Sequence, residues 1–202
     1  MVSTTEQIKL LREQTGAGML NCKNALEETN GDFEKAVNFL RQKGLASAEK
    51  KLSRTAKQGI IASYIHTGSK IGVLLELNCE TDFVARRKEF QDLAKNLAMQ
   101  IAAGGSVNYI SLKDIPQEIW DKEMKIEGER EDLKNKPANI KETILKGRVE
   151  KNLKMLTLLN QPAIREPDYT VEEYIKNHVS LMGENIKINK FTKFVLGETI
   201  ED

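Results

Sequence analysis

The chain has 202 residues, of which 40% are hydrophobic and 30% charged, so it can fold as one large domain or as a small domain followed by a larger one. Lys and Arg total 31 against 30 for Asp and Glu. This balance argues against a protein that binds DNA or another nucleic acid, since such proteins usually carry a basic surplus. No run of residues approaches the roughly 18 apolar residues of a membrane span, and the N-terminal stretch is too polar for a signal peptide.

Residues 1–45 are predicted to form three short helices. Ser3 and Glu6 match a capping box at the start of the first helix, which a glycine-rich break then ends. The second helix is expected over Met19–Glu28 and the third over residues 33–44. Three helices of this length make a small bundle that is marginally stable alone and can act as a docking module.

A basic stretch, residues 46–58, follows the bundle and is interpreted as a linker or an exposed helix with solvated charges. Residues 59–65 and Ile71–Cys79 are then predicted to pair as a β-hairpin, because apolar residues alternate along the second strand. A long helix is expected over residues 82–103. It carries an apolar stripe at helical spacing: Phe90, Leu93, Ala94, Leu97, Ala98 and Ile101.

Residues 106–138 are highly charged and are predicted to form one or two exposed helices that project from the domain. A further helix, a short helix near residues 170–177 and a last strand over 185–197 complete the chain. The predicted fold class is α+β. An N-terminal three-helix bundle precedes a core domain, residues 59–202, in which helices pack on a small antiparallel sheet.

The residues that carry chemistry in enzymes do not cluster in this sequence. Cys22 and Cys79 lack the spacing of metal ligands, so both are expected to be reduced and buried. His66 and His178 are isolated and are interpreted as surface residues. No phosphate-binding loop or nucleophile motif is present. These patterns predict no catalytic residue, no metal and no cofactor, and they favour a protein that binds another macromolecule.

One stretch, CETDFVARRKEF at residues 79–90, leaves a question open. On a continuous helix Phe83 would share a face with Phe90 and Leu97, which favours burial in the core. Arg86 and Arg87 flank that face, which favours exposure. Asp82 is explained by its place at a helix N-terminus, where the helix dipole favours an acid.

Four stretches together resemble the elongation factor Ts family, the guanine-nucleotide exchange factors for elongation factor Tu. They are listed here in chain order: LREQTGAGMLNCKNALEETNGDFEKAVNFLRQKG (11–44), CETDFVAR (79–86), KGRVEKNLKMLTLLNQPAI (146–164) and KFVLGE (193–198). The resemblance implies an N-terminal domain of ubiquitin-associated type and an α+β core. The length is similar to the short form of the family, in which a homodimer is expected.

The resemblance also implies which residues contact the partner. In the N-terminal domain they are Arg12, Met19 and Leu20, and at least one of the two apolar residues is expected to be exposed. In the core they are Asp82 and Phe83, which are expected to insert beside the nucleotide and magnesium site of elongation factor Tu. The resemblance therefore favours an exposed Phe83, and it implies a factor that binds no nucleotide itself.

Two other functions stay open at this point. One is a non-catalytic adaptor whose three-helix domain binds another protein, and the other is an RNA-associated translation protein that uses the basic stretch. The expected location is the bacterial cytoplasm, or the interior of a plastid or mitochondrion if the gene is organellar.

Overall fold

The computed structural model describes residues 5–134 and 137–198, and the fold is α+β as predicted. The α-helices in these ranges are α1 Thr5–Thr15, α2 Met19–Glu28, α3 Phe33–Glu49, α4 Asp82–Ala85, α5 Lys88–Ala103, α6 Gln117–Gly128, α7 Glu131–Lys134, α8 Ala138–Lys154 and α9 Val171–Met182. The strands are β1 Gln58–Ile65, β2 Ile71–Cys79 and β3 Lys187–Val195. They form an antiparallel sheet in the order β1-β2-β3. The predicted capping box at Ser3 lies outside the described residues.

The chain divides into two compact units, each built from several segments. The first unit comprises Met1–Ile61, Glu76–Ala94 and Glu173–Asn189. The second comprises Ala62–Leu75, Lys95–Glu172 and Lys190–Asp202. No helix in the described part of the chain is long and apolar enough to cross a membrane.

A three-helix bundle opens the first unit. Asp32 caps α3, because its side chain accepts a hydrogen bond from the Lys35 amide at 3.0 Å. The buried residues shared by α1, α2 and α3 are Leu11, Cys22, Ala25, Leu26, Ala36 and Leu40. The short apolar stripes of the three helices therefore meet in one core, as the sequence predicted.

The third helix is longer than predicted. It was expected to end at Gly44 but continues to Glu49, and Ala48 in this extension is fully buried. A Cβ at Gly44 would lie 3.1 Å from the Ser180 Oγ of α9. Gly44 is therefore a point of close approach between two helices and not a helix stop.

The second unit contains α6 and α8, which pack against each other. Their shared core has Ile115, Val149 and Leu153 at its centre, with Trp120 partly buried against it. The prediction that this stretch projects as exposed helices is therefore wrong for the inner face of α6. The prediction rested on the high charge of the stretch and overlooked its few apolar residues, which pack with those of α8 in a small cluster.

Gly59 in β1 gives a test of the strand pairing in the first unit. Its φ is 147°, and a Cβ there would lie 2.1 Å from the carbonyl oxygen of Leu77. Gly68 in the hairpin turn also has a positive φ, 90°, but a Cβ there meets nothing within 4 Å. A side chain at either position would strain the backbone, but only a side chain at position 59 would also clash with neighbouring atoms.

We expect Gly59→Ala to lower the free energy of unfolding by about 3 kcal/mol or more. The new Cβ would strain the backbone of residue 59 and would also force the backbone of Leu77 to move. Gly68→Ala, the matched control, is expected to cost about 1–2 kcal/mol. Urea unfolding followed by circular dichroism measures both. Equal losses in the two variants would contradict the close β1–β2 approach at Gly59.

Candidate partner-binding site

The helix predicted over residues 82–103 is interrupted. The structure has a single turn, α4, and then α5 from Lys88, with Arg86 and Arg87 between them. The Arg87 amide donates to the carbonyl oxygen of Val84, three residues earlier, at 3.0 Å, which is the bond of a 3-10 turn, so no continuous α-helix passes through this point. The prediction of one long helix is wrong.

This break decides the position of Phe83. The side chain of Phe83 is 78% exposed, whereas Phe90 in α5 is fully buried with the rest of the predicted stripe. Because α4 and α5 are separate, a projection along one continuous helix does not place Phe83 over Phe90. The expectation of an exposed Phe83 is confirmed. Helix geometry left burial and exposure open because it assumed one continuous helix over residues 82–103.

The cap of α4 is Thr81 and not Asp82. Thr81 Oγ1 accepts a hydrogen bond from the Val84 amide at 3.4 Å, and the Thr81 backbone is extended. The Asp82 carboxylate instead lies 2.7 Å from Arg86 Nη2. Arg86 is largely in solvent and Asp82 is about half-exposed, so the pair contributes at most about 1 kcal/mol to stability. Asp82 therefore keeps a solvent-facing carboxylate beside the exposed ring.

The carboxylate of Glu184 holds the two residues that lead into α4. Its Oε2 accepts hydrogen bonds from the backbone amides of Glu80 and Thr81 at 3.1 and 3.0 Å, and its Oε1 accepts one from Thr81 Oγ1 at 2.6 Å. In return, the Asn185 amide donates to Glu80 Oε1 at 2.6 Å. Hydrogen bonds to charged groups are stronger than neutral ones. We call Glu80, Thr81, Glu184 and Asn185 the Glu184 clasp.

Asn185 also connects the clasp to the segment that leaves α3. Its side chain is buried, and its Nδ2 donates to the carbonyl oxygens of Leu52 and Arg54 at 3.2 and 2.7 Å. Arg54 Nη1 lies 3.6 Å from Glu80 Oε1. The exit of α3 and the entry to α4 are therefore tied to the same two residues after α9.

Cys79 lies next to the clasp, and its thiol is unreactive. It is buried, and its Sγ donates to the Thr81 carbonyl oxygen at 3.1 Å. Burial and the negative charge of Glu184 raise the pKa of Cys79 to about 11, so the thiol stays protonated at neutral pH. Burial also raises the pKa of Cys22. Both cysteines are free and buried, as predicted.

The second group of candidate residues lies on the three-helix bundle. Arg12 is exposed in the last turn of α1. Met19 and Leu20 open α2 and are 38% and 70% exposed, so both apolar side chains reach solvent. The prediction that at least one is exposed is confirmed. Met19 is the more covered of the two, because it shares a helix face with the buried Cys22.

One segment of the first unit, residues 181–184, contacts the chain just before Met19 and just before Asp82. A Cβ at Gly16, in the break just before α2, would lie 2.8 Å from Leu181 Cδ1 near the end of α9. Glu184 of the clasp follows Leu181 by three residues, a span of at most about 11 Å along an extended chain. The end of α9 therefore contacts the loop before Met19, and the residues that follow α9 contact the segment that leads into α4.

The histidines do not join this site. His66 is exposed at the hairpin, with Nδ1 3.2 Å from the phenolic oxygen of Tyr64. His178 is half-buried in α9, with Nδ1 2.8 Å from the Tyr174 carbonyl oxygen. Among residues 5–134 and 137–198, no three His, Cys, Asp or Glu side chains come together in a group that could hold a metal ion.

Sequence reasoning missed Thr81, Glu184 and Asn185. Thr81 had a local signal, because a threonine directly before a helical turn is a good cap. Glu184 had none, since its hydrogen-bond partners lie 103 and 104 residues earlier in the chain. In the sequence, Glu184 and Asn185 are typical of an ordinary surface loop after a helix, and only the fold shows that they bind Glu80 and Thr81.

Comparison with known proteins identifies a family. The protein-family model described as "Elongation factor TS" matches residues 23–198 of this chain. The chain is 57% identical over 198 residues to "Elongation factor Ts, chloroplastic" of Rhodomonas salina, covering 98% of this chain and 90% of that protein. It is 57% identical to "Elongation factor Ts" of Synechococcus elongatus, covering 96% and 88%. The protein of that name from Microcystis aeruginosa is 58% identical, covering 98% and 79%.

Two phenylalanines seven positions apart test the exposure of the site. We expect Phe83→Ala to change the free energy of unfolding by no more than about 0.5 kcal/mol, because the ring already lies in water. Phe90→Ala is expected to cost about 3–5 kcal/mol, because it opens a cavity in the core. Urea unfolding measures both. A loss in Phe83→Ala close to that of Phe90→Ala would mean that the Phe83 ring is buried in the free protein.

Proposed function

The chain belongs to the elongation factor Ts family, and we propose that it binds elongation factor Tu and accelerates the release of GDP from it. The family consists of translation elongation factors. The observation that carries the finer proposal is Phe83. A large ring, 78% exposed, stands on a one-turn helix beside the half-exposed carboxylate of Asp82. Single exposed apolar side chains are common, but this ring lies within the CETDFVAR stretch that resembles the family's signature, and this supports a pocket in the partner as its binding site.

In the proposed mechanism, Asp82 and Phe83 insert beside the nucleotide site of elongation factor Tu. Phe83 enters an apolar pocket between helices of the partner's nucleotide-binding domain. The insertion displaces the elements that hold magnesium, and GDP, held largely through its phosphates and that ion, dissociates faster. This chain supplies no catalytic group and binds no nucleotide itself.

A single ring cannot supply all the energy that this mechanism needs. Burying one phenylalanine contributes about 1.5–3 kcal/mol, which is one to two decades in an equilibrium constant. We therefore assign most of the affinity to a second contact, made by Arg12, Met19 and Leu20 on the bundle. Met19 and Leu20 offer exposed apolar surface, and Arg12 offers an exposed charge that can pair with a carboxylate.

Thermodynamic coupling sets the direction of exchange. If the factor lowers the affinity of elongation factor Tu for GDP, then GDP must lower the affinity for the factor by the same ratio. The factor therefore speeds equilibration between the nucleotides, and the supply of GTP decides which one replaces GDP. The named relatives from cyanobacteria and a plastid support a bacterial cytoplasm or a plastid interior as the place of action. A homodimer stays a prediction.

The test is release of a fluorescent GDP analogue from elongation factor Tu, with this protein in excess. We expect the wild type to accelerate release. Phe83→Ala is expected to lower the maximal release rate by about one to two decades, the share that one buried ring can supply. The variant should still bind, because the bundle contacts remain.

Phe194→Ala serves as the control, since Phe194 is also exposed, at 55%, but lies outside the candidate site. We expect it to release the analogue at the wild-type rate. Full acceleration by Phe83→Ala would contradict the insertion of Phe83. No acceleration by the wild type would contradict the proposed function itself.

A further inference from the structure

The turn that carries Phe83 is too short to hold its own direction. The helix α4 has four residues, and an isolated helical turn is unstable because nucleation costs more than its few hydrogen bonds return. Val84 and Ala85 are buried and anchor its inner side. Burial on the inner side and the contacts of the residues before the turn together set the direction of Asp82 and Phe83 on the outer side.

Glu184 meets the chain at this point. Its two carboxylate oxygens accept from the amides of Glu80 and Thr81 and from the Thr81 hydroxyl, at 2.6–3.1 Å. The same hydroxyl oxygen accepts from the Val84 amide and caps α4. One carboxylate thus holds both the backbone before the turn and the side chain that begins it.

We propose that Glu184 is a positioning residue for Phe83. It holds the turn in the one orientation from which the ring can enter the partner's pocket, so that the ring need not be ordered at the moment of binding. The proposal rests on the exchange function described above. Preorganisation of this kind matters because ordering a loop on docking consumes binding free energy.

The clasp also fixes the distance between the two groups of contact residues. Leu181 touches the break before Met19, and Glu184, three residues later, holds the turn before Phe83. Asn185 adds a tie to the exit of α3 through the carbonyl oxygens of Leu52 and Arg54. When two contacts are held at a fixed separation, forming the first raises the effective concentration for the second, and the overall affinity for the partner increases.

The experiment compares Glu184→Ala, Glu184→Gln and a control, Glu28→Gln, in the fluorescent-GDP release assay across a range of factor concentrations. Glu28 is exposed at the far end of α2. We expect Glu184→Ala to lower the maximal release rate about tenfold, the effect expected from losing hydrogen bonds to a charged acceptor. The concentration for half-maximal effect should change less than the maximal rate.

Glu184→Gln should recover part of the loss, because its amide oxygen can still accept from the two backbone amides. Hydrogen exchange of the Glu80 and Thr81 amides gives an independent readout. Their protection should fall in Glu184→Ala and stay at the wild-type level in Glu28→Gln.

A double variant separates positioning from general destabilisation. If Glu184 acts through the ring, then Phe83→Ala combined with Glu184→Ala should release GDP no more slowly than Phe83→Ala alone. Additive losses would overturn the proposal, and so would a wild-type maximal rate in Glu184→Ala. No acceleration by the wild type would overturn the proposed function and this inference together, so the two failures are distinguishable.

Thr81 provides the same test if Glu184→Ala does not fold. Thr81→Val removes the hydroxyl that joins Glu184 to the cap of α4 while keeping the shape of the side chain. Thr81→Ser keeps the hydroxyl. We expect Thr81→Val to lower the maximal release rate several-fold and Thr81→Ser to leave it near the wild-type value. Equal rates in the two variants would overturn the proposal.

Discussion

The carboxylate of Glu184 carries the constraint on which the candidate site depends. It accepts from two consecutive backbone amides and one hydroxyl, and these groups belong to the residues that lead into α4. Four helical residues cannot define a direction in water by themselves. An exposed aromatic ring can be presented on so short an element only if longer-range contacts hold its base.

The two groups of contact residues divide the work in the proposed mechanism. Exposed apolar surface at Met19 and Leu20 can supply affinity without altering the partner's nucleotide site. Phe83 can then use its limited burial energy to change the partner's conformation. This division requires both groups to act from one rigid body. The contact at Leu181 and the clasp at Glu184 join them within the first unit.

Local patterns in the sequence predicted some of the regular elements and missed the bounds or continuity of others. Alternating apolar residues predicted β2 at its observed bounds, and helical spacing predicted the buried stripe of α5. Exposure of Phe83 followed only from the resemblance to a family, because a single helix over residues 82–103 was assumed. The break at Arg86 has no glycine or proline to announce it. The clasp could not be predicted at all, since it joins residues about a hundred positions apart through the fold.

The most direct test of the central claim follows the environment of residue 83 itself. Phe83→Trp, in a chain that also carries Trp120→Phe, has one tryptophan, because Trp120 is the only natural one. The account predicts emission typical of water and easy quenching by iodide in the free protein. Adding elongation factor Tu should shift the emission to shorter wavelength and protect it from iodide. Unchanged emission and quenching in a complex whose formation is verified by gel filtration would contradict the account.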